Sequence, residues 1–260
     1  MTRKQTLSLA LVQSTLHWHD PAANRAHFAA LLDQAGGADL VVLPEMFSTG
    51  FSMESERLAE PEDGPSVRWL REQAQRIGAV ICASLIVQAA DGSYRNRLIW
   101  ARPDGSQVHY DKRHLFRMAG EHEHYTAGNE QLVVDLHGWR VRPLICYDLR
   151  FPVWSCDPAG TDLLLYIANW PQPRRQHWRR LLPARAIENL CYVAAVNRVG
   201  LDGKGLDYSG DSQVLDFHGE LLLDCEAREG VHRVELSAAD LDEHRERFPA
   251  WRDADAFTLG

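Results

Sequence analysis

The chain has 260 residues, a formal net charge of −8, a hydrophobic fraction of 45% and a charged fraction of 25%. Such values exclude a disordered chain and fit one large soluble α/β domain over residues 1–260, with a C-terminal tail from about 238. Lys and Arg are scattered with no basic stripe beyond the short run 174–180, which argues against a nucleic-acid surface. No stretch approaches the roughly 18 apolar residues of a spanning helix.

The N-terminus carries basic residues and then alternates into a strand, Leu7–Val12, with too short an apolar run for a signal peptide. Pro21 opens a helix that Gly36-Gly37 stops. Asp39 to Glu45 is the next strand, apolar until Pro44, so Glu45 stands at a strand end, where α/β sheets bind ligands. A solvated loop carboxylate is the plain alternative there. Ser66–Ile77 is an amphipathic helix capped by Ser66 and ended by Gly78. Ala79–Val87 is an apolar strand, and 90–93 and 103–106 are turns. Val108–Asp111 leads into Lys112, which alone reads as a surface lysine. His114, His122, His124, Glu121 and Glu123 cluster in sequence. The H-E-x-x-H pattern and zinc-spaced cysteines are absent, so no metal is expected.

Trp139–Cys146 is a strand, followed by Asp162–Asn169 and a helix over Gln176–Leu190. Pro183 inside that helix requires a kink or a later start. Tyr192–Val199, Asp211–Phe217, Glu220–Cys225 and His232–Leu236 read as strands, and Ala238–Arg247 as a helix. Early strands alternate with helices and late ones form hairpins, and several are apolar throughout. A mixed sheet, or two sheets with helices outside, follows. The five cysteines are odd in number and irregularly spaced, which points to a reducing compartment, the cytoplasm, without disulfides. Cys82 and Cys191 read as core residues, Cys225 as a strand end, and Cys156 as a loop thiol.

Cys146 differs from the other four. The run Val141-Arg142-Pro143-Leu144-Ile145 ends at this thiol, and Tyr147-Asp148-Leu149-Arg150-Phe151-Pro152 follow. That pattern delivers a cysteine from a buried strand to a sharp turn. Such a thiol is a nucleophile if a neighbour deprotonates it. A buried structural cysteine, or a Cys–His hydrolase using one of the 12 histidines, remains open on these residues alone.

Leu43-Pro44-Glu45, then Asp111-Lys112, then Leu144 to Pro152, in this order, resemble the carbon–nitrogen hydrolase (nitrilase) superfamily. The resemblance runs from about Leu7 to about Asp224 and includes His177-Trp178, Ala184 to Asn189, Gly210-Asp211-Ser212 and the Gly219 turn. Cys146 to Pro152 resembles its Nit branch, and Pro44 to Phe51 its bacterial omega-amidases. The resemblance implies a four-layer α-β-β-α sandwich, pairing through outer helices into a homodimer or larger assembly, and no cofactor. It also implies Cys146 as nucleophile, Glu45 as general base and acid, and Lys112 with the Tyr147 N–H as oxyanion donors. Glu121, matched to the family's second glutamate by Gly128, would orient lysine and substrate. The family usually has histidine where this chain has Asp211.

The implied substrates are monoamides of small 2-oxo dicarboxylic acids, 2-oxoglutaramate or 2-oxosuccinamate, hydrolysed with water to acid and ammonia. Their carboxylate calls for an arginine, with Arg150, Arg174 and Arg175 as candidates. Pairing with Asp148 or another acid is the structural alternative for Arg150. Phe47, Phe116 and Trp170 would narrow the pocket, packing being the alternative for each. Related amidases, nitrilases and a non-catalytic Nit-like interaction protein are the rival readings.

Overall fold

The computed structural model describes residues 3–157, 160–255 and 258–259. Two sheets carry the architecture. In the first, the strand order is Gly230–Ser237, Thr6–Gln13, Leu40–Val42, Val80–Gln88, Tyr94–Ala101, Gln107–Asp111, with Glu60–Pro61 added beside Val80–Gln88. In the second it is Leu221–Asp224, Gln213–Leu215, Tyr192–Val196, Leu163–Ile167, Trp139–Ile145, Val134–Leu136. Both sheets are mixed: the centres are parallel and antiparallel strands finish the edges.

Side-chain alternation explains the layering. Leu7, Leu9 and Leu11 face the second sheet and share one core with Val141, Ile145 and Leu163. Ala10 and Val12, on the opposite face of the same strand, pack with Phe28, Val67, Leu70 and Ala74 from two helices. A strand buried on both faces must be apolar on both, so these segments show no polar alternation. Helix Arg175–Asn189 covers the second sheet through Trp178, Leu182 and Ala186. The order is therefore helices, sheet, sheet, helix, the four layers of the α-β-β-α sandwich.

Several boundaries differ from the sequence expectation. Gly64 caps the helix Pro65–Ile77, with Pro65 at its first position. Ser66 lies inside the first turn, where its N–H and hydroxyl both donate to the Glu60 carboxylate. A distant acid thus does the work expected of a local cap. Helix Arg175–Asn189 runs through Pro183 and begins earlier than expected. The strand expected over Tyr192–Val199 stops at Val196. Asn197 leaves the ladder because its side chain accepts from the Trp170 N–H and donates to the carbonyls of Trp170 and Gly210. Val199–Leu201 then pairs with Asp207–Ser209 in a separate hairpin.

Candidate active site

Four segments that end at one edge of the sandwich bring Glu45, Lys112, Glu121 and Cys146 together. Glu45 follows strand Leu40–Val42, Lys112 follows Gln107–Asp111, Glu121 opens the short helix Glu121–His124, and Cys146 follows Trp139–Ile145. Glu45 and Cys146 both stand where the chain turns sharply. Cys146 has φ 45° and Met46, next to Glu45, has φ 46°. Non-glycine residues occupy this left-handed region at an energetic cost that surrounding structure must offset.

At Cys146 that structure is Asp148. One of its oxygens accepts from Ile145 N (3.0 Å) and the Tyr110 hydroxyl (2.8 Å). The other accepts from His114 N (3.0 Å) and lies 2.8 Å from His114 Nδ1. Asp148 therefore ties the cysteine turn to the loop that carries Lys112, and it is not the partner of Arg150.

The Lys112 ammonium is fully buried. It donates to Glu45 Oε1 (2.8 Å) and to Glu121 Oε1 (3.0 Å) and Oε2 (2.9 Å). Burial alone would lower its pKa, but the Glu121 and Glu45 carboxylates outweigh that and raise it, so the lysine stays cationic. Burial raises the pKa of Glu121, with Lys112 opposing and Glu45 adding to the rise. Asn96 Nδ2 reaches both acids, 2.8 Å from Glu45 Oε1 and 3.2 Å from Glu121 Oε1. Asn169 N–H donates to Glu45 Oε2 (2.8 Å), its side chain donates to the Glu45 carbonyl, and its own carbonyl lies 3.9 Å from Cys146 Sγ. Burial pushes the Cys146 thiol well above its ordinary range, Glu45 adds to the rise, and Lys112 opposes it. Cys146 thus rests as a thiol that would need a base before it could attack, unlike a preformed thiolate.

A cavity of about 110 Å³ opens onto Cys146 and Lys112. Tyr147, Phe116, Trp170, Arg150 and Arg174 line it, as expected from the sequence. The Tyr147 N–H belongs to the first turn of the 3-10 segment Cys146–Arg150, where helical N–H groups have no intrahelical acceptor. The Arg150 guanidinium lies 5.0 Å over the Trp170 ring and 2.8 Å from His177 Nδ1; that of Arg174 lies 5.0 Å over Phe116. Neither has a carboxylate partner among the described residues.

Two candidates lie elsewhere. Phe47 is buried in the core beneath the outer helices, 5.7 Å from Phe28 and 5.5 Å from Trp69, because its side chain follows the helix-facing side of the sheet. Arg175 makes a two-pronged bond to Asp211 at 2.7 and 2.8 Å, and Arg179 joins them. Asp211 is therefore clamped by two arginines of helix Arg175–Asn189. No histidine lines the cavity among the described residues. No group of three metal-ligating side chains is found there either.

Sequence reasoning missed Asn96, Asn169 and the wall formed by Asp202, Lys204, Leu206 and Tyr208. The only signal at Asn96 was an amide between two arginines in the polar first half of strand Tyr94–Ala101. At Lys204 and Tyr208 there was none.

The family model for carbon–nitrogen hydrolases matches residues 8–246. The chain is 50% identical over 254 residues to the omega-amidase YafV of Escherichia coli K12, covering 97% of this chain and 98% of that protein. It is 33% identical over 252 residues to the 2-oxoglutaramate amidase of Bacillus subtilis, covering 95% and 96%. The crystal structure of XC1258 from Xanthomonas campestris, a CN-hydrolase superfamily protein with an arsenic adduct in its active site, superposes with a TM-score of 0.96. The two are 50% identical, with 99% of this chain and 100% of that one covered.

Proposed function

The chain belongs to the carbon–nitrogen hydrolase family, and from that membership we propose that it is an omega-amidase acting on monoamides of small 2-oxo dicarboxylic acids. The observation that carries this is the buried Glu45–Lys112–Glu121 group at the floor of a small cavity that opens on Cys146 and is rimmed by acid-free arginines.

The cycle follows from the chemistry of the groups. Glu45 takes the Cys146 proton as sulfur attacks the amide carbon. The carbonyl π electrons move to oxygen, and Lys112 with the Tyr147 N–H stabilises that oxyanion. As the carbonyl reforms, the C–N bond breaks, and Glu45 passes its proton to nitrogen, releasing ammonia and leaving a thioester. Water, losing a proton to Glu45, attacks the thioester. The acid leaves, and the thiol recovers its proton. The raised thiol pKa supports this order, because proton removal and attack then occur together.

Arg174 and Arg150 receive the substrate carboxylate, since a guanidinium fork matches it and neither forms an ion pair among the described residues. The test is ammonia release from 2-oxoglutaramate, a nitrile and an N-carbamoyl amino acid. The amide should be turned over and the others not. Cys146→Ala should release none, and Arg174→Ala should raise KM about tenfold or more with a smaller change in kcat. Preference for the nitrile or the carbamoyl compound would sink the assignment.

The protein works as a homodimer or larger assembly, with Val153 and Ile187, exposed apolar side chains of helices Pro152–Ser155 and Arg175–Asn189, inside the contact. A monomeric sedimentation mass at micromolar concentration would contradict this. Its place is a reducing compartment, consistent with five free cysteines. No helix among the described residues is long and apolar enough to cross a membrane.

A further inference from the structure

Lys112 has three N–H bonds, and all three approach carboxylate oxygens. To reach an oxyanion it must give one up. A buried carboxylate oxygen that loses its donor is costly, more so in a site closed to water. One side chain removes this difficulty. Asn96 is 1% exposed, and its Nδ2 donates to two of the three oxygens that Lys112 serves, Glu45 Oε1 and Glu121 Oε1. Its carbonyl accepts the backbone N–H of Lys112 at 3.0 Å. Asn96 thus touches three of the four site residues while lying outside the cavity lining. Its Oδ1 meets no donor among the described residues, so the carboxylates alone decide which end of the amide faces them.

We propose that Asn96 is a positioning residue, a neutral double donor that holds Glu45 and Glu121 together and keeps them satisfied while Lys112 turns one N–H toward the oxyanion. It rests on the amidase chemistry above. Neutrality is the point: a second cation would oppose Lys112 and an acid would add a third negative charge, whereas an amide NH₂ stabilises two anions without changing the net charge. The titratable groups that face this cluster are Glu45, Glu121, Lys112, Cys146, Tyr125 and Tyr208. All are left in place by a change at Asn96.

The experiment uses near-isosteric Asn96→Leu, with Asn96→Ser as a smaller replacement read in the same way if the leucine variant does not fold. Two pH profiles are measured: kcat/KM for 2-oxoglutaramate, and the rate of Cys146 alkylation by iodoacetamide followed by mass. The variant should lose about 10²-fold in kcat with KM within about threefold. The acidic limb of both profiles should move up by about one pH unit, because the glutamate pair takes up a proton more readily without its shared donor. A merely structural amide would lower amplitude and melting temperature and leave the limbs in place, and that result overturns the proposal. If the wild-type protein releases no ammonia from 2-oxoglutaramate, the substrate assignment fails alone, and the alkylation profile still decides the role of Asn96.

Discussion

Lys112 is the residue on which the site's electrostatics turn. Glu45 and Glu121 are fully buried, and one ammonium compensates both. Removing one partner of a buried ion pair typically costs about 3–5 kcal/mol, because the remaining charge is stranded. Lys112→Met should therefore abolish thioester formation and also weaken the fold. The sign of its pH dependence is set by the stranded acids. Their affinity for protons rises in the folded variant, so stability is retained at low pH and lost as pH rises. Urea unfolding at about pH 5 and pH 8 should show a larger deficit at the higher pH, and equal deficits would refute the account. Cys146 and Glu45 stood out in the sequence because an apolar run stopped abruptly at each. Asn96 did not, since nothing local tells a buried amide that bridges two acids from one at a strand edge.

At the scale of elements, close approach of backbones delivers the side chains of the site. Gly128 N donates to the Lys112 carbonyl at 3.0 Å. A Cβ at Gly128 would stand 2.3 Å from the Asp111 carbonyl oxygen and 2.9 Å from the Asp111 Cβ. Backbone at that distance must move, and Lys112 moves with it. Gly128→Ala should lower kcat by tenfold or more, since small misplacements of catalytic groups are expensive. Steady-state kinetics with wild-type activity would show that the strand end accommodates the methyl group. The Asp202–Leu206 turn is built on the same principle. Asp202 accepts from Lys204 N (2.8 Å) and Leu206 N (2.9 Å), and Gly203 sits against Trp18 so closely that a Cβ would lie 2.2 Å from the indole. Turn chemistry of this kind is written in Asp-Gly-Lys-Gly, but which wall of the molecule it would form is not.

For the whole molecule, four cysteines report on alkaline stability. Burial raises the thiol pKa of Cys82 and Cys146, and pushes Cys191 and Cys225 up to about 12. Unfolded thiols ionise near their ordinary value of about 8.5. Between that value and about 12 the native state binds more protons than the unfolded state, so stability is full below about pH 8.5 and falls as pH rises. Thermal melts should decline steadily across this window, and a flat profile would mean that the thiols are not buried as described. The sequence by itself determined the apolar strands, the α/β alternation and the absence of a metal-spacing pattern, and through an ordered family resemblance it singled out Glu45, Lys112, Cys146 and Glu121 as candidates. The strands and their alternation are local patterns, legible one segment at a time, whereas the candidates stand out only as an ordered set. Only the tertiary structure decided that Phe47 packs under helices and Arg175 clamps Asp211, and that Asn96, Asn169 and the 199–209 hairpin complete the site. Those assignments depend on which face of a strand meets which layer and on contacts between residues far apart in the chain, and no local pattern encodes either.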